Sequence, residues 1–108
     1  MVRDRIDRIE TLRRLLDHNP NDTRARFGLA AEYERAGRWN DVVEQLTAYL
    51  ELAQDEGNAY GRLGRALIEL GRVDEARAAY RLGVDAASKH GHPSMAAEFQ
   101  DAIDDLDR

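Results

Sequence analysis

The chain is 108 residues long, carries 21 acidic against 16 basic residues and has no cysteine, so it has room for one modest core and no thiols for disulfides or thiolate metal sites. Its net charge of -5 repels a phosphate backbone unless the basic side chains gather on one face, so nucleic acid is not the expected partner. No segment approaches the roughly 20 apolar residues of a membrane span, and residues 1–5 lack the apolar run of a signal peptide; a soluble protein of a reducing cytoplasm is expected.

Along residues 3–18, Ile6, Ile9, Leu12, Leu15 and Leu16 recur at three- and four-residue steps and predict one apolar stripe on a helix. Asp4 before Arg8 and Glu10 before Arg14 are acid-before-base pairs that support its exposed side. Pro20 stops this helix, and Asp22 is the expected cap of a second one over residues 23–36, in which Phe27, Leu29, Ala30 and Tyr33 are buried or line a groove. Gly37 ends it. Asn40 then reads as the N-cap of a third helix, with Asp41 in its first turn, running to about residue 54 and closed by Gly57. A fourth helix over about residues 58–70 and a fifth over about 74–89 flank a turn at Gly71. Glycine inside a helix costs about 1 kcal/mol relative to alanine, so Gly64 and Gly83 need close neighbours as their reason. Gly64 is expected against Ala76, and Gly83 beneath the helix that follows. The last helix, about residues 94–106, sets Met95, Phe99, Ala102, Ile103 and Leu106 on one face and acidic residues on the other.

These elements repeat. Tyr60, Leu63-Gly64, Leu67, Gly71, Ala76 and Tyr80 fall 34 residues after Arg26, Leu29-Ala30, Tyr33, Gly37, Val42 and Leu46, so apolar or small residues return at nearly every core place. In this pattern the chain resembles the tetratricopeptide repeat family, with Tyr60 through Gly83 matching it almost throughout. The unit around Gly37 departs from it: Arg26 stands at the usual aromatic, Val42 at the usual alanine and Tyr49 at a small residue, which implies wider helix spacing there. The resemblance implies an all-α right-handed superhelix of about six antiparallel helices in one domain over residues 1–108. Within it, residues 1–21 form a half-repeat, 22–55 and 56–90 two repeats, and 93–107 a capping helix.

The resemblance further implies a protein-binding adaptor or scaffold that takes a peptide or partner helix in a concave groove lined by the first helix of each pair. Carried over by position, that groove presents Arg24, Phe27, Ala31, Glu34 and Arg35, then Asn58, Gly61, Arg62, Arg65, Ile68 and Glu69. The arginines suit the carboxylates of an acidic peptide, and Phe27 and Ile68 its apolar side chains. Solvated arginines, or arginines paired with Glu34 and Glu69, are the plainer reading of the same residues. The family's carboxylate clamp for chaperone tails is missing, since Phe27 and Ala31 occupy its lysine and asparagine places.

Other chemistry has little to rest on. His90 and His92 around Gly91, without cysteine or helical four-residue spacing, read as a loop end rather than a metal site. There is no nucleophile beside a base, no phosphate loop and no His-Glu metal motif, so neither catalysis nor a cofactor is expected. The placement of Trp39, Tyr49, Tyr60 and Tyr80 favours packing over a stacking platform. A structural module that assembles through its terminal helices, with Ile6, Ile9 and Leu12 in contact, is the alternative to peptide binding; a monomer or weak homodimer is compatible with the sequence.

Overall fold

Six α-helices succeed one another, with no strand among the described residues, which in this computed structural model are 2–108 for the backbone and 7–108 for the side chains. They are α1 (Val2–His18), α2 (Thr23–Arg35), α3 (Trp39–Leu52), α4 (Asn58–Glu69), α5 (Val73–Lys89) and α6 (Pro93–Leu106). The chain divides into two compact units, one holding α1 to α3 and ending at Ala53, the other Gln54–Arg108 with α4 to α6.

In the first unit α2 packs against both α1 and α3. Leu29, Leu46 and Val42 are fully buried, and each such side chain stabilises the unit by about 1.5–3 kcal/mol. Asp22 caps α2 as its sequence predicts, its Oδ1 accepting from the Ala25 amide at 3.0 Å. The other end closes at Gly37, whose φ of +69° disfavours any side chain, while the Arg38 amide donates to the Tyr33 carbonyl at 2.9 Å. Asn40 does not cap α3: the helix already begins at Trp39, with Arg38 as cap residue reaching Asp41 at 2.8 Å. In α1, Ile9 and Leu16 face the core, Leu12 is half-buried, Leu15 is 47% exposed, and the Ile6 side chain lies outside the described residues. Arg8 turns to Glu32 on α2 at 3.1 Å; the side chain of Asp4 lies outside the described residues.

The second unit repeats the hairpin 34 residues later. Gly71 has a φ of +73°, the Arg72 amide donates to the Leu67 carbonyl at 2.9 Å, and Arg72 pairs with Glu75 at 2.6 Å where Arg38 pairs with Asp41. Gly57 does not close α3, which ends at Leu52; it sits at the start of α4 with a φ of +131°, buried, where a Cβ would lie 2.8 Å from the Met95 sulfur. The amides of Gly57, just before α4, and of Ala59 in its first turn donate to Asp55 Oδ2 at 2.8 Å each, a cap that spacing alone misses although an aspartate at a helix start signals it. Gly64 meets the ring of Tyr80, a Cβ there lying 2.8 Å from ring carbons. Gly83 makes room for α6 as expected, beneath Phe99.

Candidate functional site

The two faces carried over from sequence fall on α2 and α4, and helix geometry decides which side chains each face keeps accessible. On α2 the steps from Arg24 to Phe27, Ala31 and Arg35 trace one side, while Ala25, Leu29 and Tyr33 turn inward and are buried. Arg24 and Arg35 are exposed, and Phe27 and Ala31 are half-buried. On α4, Asn58, Arg65, Ile68 and Glu69 are exposed and Arg62 is half-buried, with Ala59, Ala66 and Leu67 forming the inner side.

Two of the α2 residues share a cleft. Thr23, Arg24, Phe27, Gly28 and Tyr49 line a space of about 330 Å³, with the Phe27 and Tyr49 rings 5.1 Å apart at 54°. Tyr49, a departure from the family pattern, thus has a ring partner in Phe27. An arginine beside two aromatic rings gives this cleft a cationic rim and an apolar wall. Arg35 is drawn away, donating through Nη1 to Glu32 Oε1 at 2.8 Å rather than to Glu34. Glu32 is 7% exposed, receives Arg8 as well on the same oxygen, and its Oε2 is buried without a hydrogen bond.

On α4 the structure corrects one groove position. Gly61 is not open, because the Phe99 ring of α6 stands directly over it. The same ring presses its Cδ2 edge to 2.8 Å from where a Cβ of Gly83 would be, and lies 5.8 Å from the Tyr80 ring. Burial pushes the Tyr80 phenol above its ordinary value, and the charge of Arg65 opposes that shift, which places Arg65 within electrostatic reach of the Tyr80–Phe99 cluster. Ile68, 36% exposed, is the apolar side chain left accessible on this face.

Away from these faces, His92 Nε2 donates to Glu56 Oε1 at 2.7 Å, so the histidine that sequence assigns to a loop end ties the start of α6 to the segment before α4. The hydrogen bond from His92, aided by the charge of His90, holds the Glu56 carboxyl below its ordinary value against a smaller opposing effect of burial. Among the described residues no group of three His, Cys, Asp or Glu side chains could hold a metal ion, and no helix is long and apolar enough to cross a membrane.

A family model described as tetratricopeptide repeat matches residues 35–98. Small glutamine-rich tetratricopeptide repeat-containing protein 2 of Mycosarcoma maydis is 31% identical over 77 residues, covering 71% of this chain. The chain spans about a fifth of that relative, the match covering 22% of its length.

Proposed function

Since the chain belongs to the tetratricopeptide repeat family, we propose that it is a protein-interaction module that binds an acidic peptide or helix on the exposed sides of α2 and α4. The observation that carries this reading is the α2 cleft, where Arg24 stands beside the Phe27–Tyr49 ring pair. A carboxylate on Arg24 gains a charge-assisted hydrogen bond, and an aliphatic neighbour in the ligand gains contact with the rings. Asn58, Arg62, Arg65, Ile68 and Glu69 offer the same mixture on α4, with arginines for carboxylates, Ile68 for apolar contact and Glu69 to disfavour a ligand of purely acidic character. Ala31 and Arg35 extend the α2 face, although Arg35 must share its guanidinium with Glu32.

The binding needs no cofactor and no catalysis, and fits an adaptor or scaffold of the cytoplasm. The experiment is a titration of a fluorescent peptide of alternating glutamate and leucine against the wild type and against the Arg24→Glu and Arg62→Glu/Arg65→Glu variants. Each variant is expected to weaken binding by about tenfold or more, since a lost charge-assisted hydrogen bond is replaced by repulsion. Equal affinity in all three proteins, with folding intact by circular dichroism, overturns the reading.

A further inference from the structure

Among the described residues the helices hold four glycines, Gly28, Gly61, Gly64 and Gly83, and three of them have an aromatic ring as their reason. A Cβ at Gly61 or Gly83 would run into the Phe99 ring, and one at Gly64 would lie 2.8 Å from the Tyr80 ring. Gly28, inside α2, is the exception. Among the described residues a Cβ there would meet only the Leu12 methyl groups, at 3.6 and 3.7 Å, which is ordinary contact. Glycine inside a helix is costly relative to alanine, and the packing around position 28 does not call for it.

Gly28 stands four residues after Arg24 and three before Ala31, so it belongs to the side of α2 that the proposed peptide occupies. It lines the cleft there together with Thr23, Arg24, Phe27 and Tyr49. Each of these residues is half-buried or exposed, and most of the lining open to a ligand is apolar. The bare helix backbone at Gly28 therefore borders a space of about 330 Å³ beside two rings that lie 5.1 Å apart at 54°.

Elsewhere in this chain the same combination holds a ring. Phe99 sits on Gly61 and Gly83, and the Tyr80 ring lies 5.8 Å from it. A ring laid on a helix at glycine gains contact with the backbone that any side chain at that position would hold off, and a second ring beside it adds an aromatic pair. In the second unit α6 supplies the ring. Around Gly28 the two neighbouring rings are present, and the space over the glycine is open to a ligand.

We infer that Gly28 is the specificity-determining residue of the peptide site, seating an aromatic side chain of the ligand against Phe27 and Tyr49 while a neighbouring carboxylate of the ligand reaches Arg24. The inference rests on the peptide-binding reading and narrows it. The preferred ligand is an acidic peptide with a phenylalanine among its glutamates. Leucine serves less well there, because it has no flat face to lay on the bare helix and forms no aromatic pair.

The test uses two fluorescent peptides, the alternating glutamate–leucine peptide and the same peptide with its central leucine changed to phenylalanine. Each is titrated against the wild type and Gly28→Ala. The wild type is expected to bind the phenylalanine peptide roughly fivefold more tightly, as an added aromatic pair allows. Gly28→Ala should be at least as stable as the wild type in urea, because the added methyl group fits and alanine favours the helix, yet it should bind the two peptides about equally. A glycine kept for packing alone would not join undiminished stability to a lost preference.

Equal binding of the two peptides by the wild type, or a preference that survives in Gly28→Ala, overturns the inference and leaves the acidic-peptide reading standing. Binding of neither peptide overturns both. A Gly28→Ala protein that is less stable than the wild type, or unfolded, also overturns the inference, since packing would then account for the glycine.

Discussion

The ring of Phe99 stands over Gly61 so closely that nothing larger than hydrogen fits between α6 and α4 at that point. The opposite edge of the ring is held by Gly83, so it cannot retreat from an added methyl group. Alanine at position 61 gains roughly 0.5–1 kcal/mol of helix propensity but overpacks this contact at a cost of about 1–3 kcal/mol. Gly61→Ala is therefore expected to lower stability by roughly 1 kcal/mol in urea unfolding. The added change Phe99→Leu should cost less in that background than in the wild type. A single variant as stable as the wild type contradicts the packing described.

Glu32 and its arginines should respond unequally to substitution. The carboxylate side chain is 9% exposed, while Arg8 and Arg35 are 55% and 57% exposed, so removing the acid frees two cations that water already reaches. Glu32→Met is expected to change stability by less than about 1 kcal/mol, whereas Arg8→Ala/Arg35→Ala strands a buried charge and should cost about 2–3 kcal/mol. Thermal unfolding of the two proteins compares them. The reverse order would show that the acid, not its partners, anchors α1 to α2.

The two candidate caps before α2 and α3 also separate. Asp22→Ala removes an acceptor of the Ala25 amide and should destabilise by about 1 kcal/mol. Asn40→Ala removes no cap, because α3 begins at Trp39, and unfolding midpoints should show it near neutral. Equal losses at both positions contradict the observed start of α3.

The His92–Glu56 contact has a defined pH signature. A carboxyl held below its ordinary value of 4.5 contributes stability that is present above the unfolded pKa and is lost as the pH falls through the lower folded one. Titration of the Glu56 carboxyl by nuclear magnetic resonance should move up toward 4.5 in His92→Ala. An unchanged titration would assign the lowering to His90 and remove the tie at α6.

Much of the fold is legible in the sequence because the period of 34 fixes both hairpins through residues whose roles are local, such as Gly37 and Gly71 at positive φ and Asp22 at its cap. What spacing leaves open is which side chain fills a given place. Phe27 and Tyr49 pack against each other at a tilt in the first unit; 34 residues later stand Gly61 and Gly83, and a ring from α6 occupies both places. The sequence shows two glycines and a distant phenylalanine, and only tertiary packing joins them. Ile9 likewise belongs to a stripe that serves a core or an interface equally well, and the structure buries it at 7% exposure, which removes it from the contact surface of a self-assembling module. The helices that carry Arg24, Arg35, Arg62 and Arg65 were legible in the sequence, while the pairing of Arg35 with Glu32 depends on rotamers and on Arg8 arriving from another helix.

The most direct measurement is the anisotropy of the labelled glutamate–leucine peptide, read beside a lysine–leucine counterpart at low and high salt, on the wild type and on Arg24→Glu. Saturable binding of the acidic peptide alone is expected, weakened by salt and by about tenfold or more in the variant. Equal binding of both peptides, or an acidic peptide indifferent to Arg24, would contradict it.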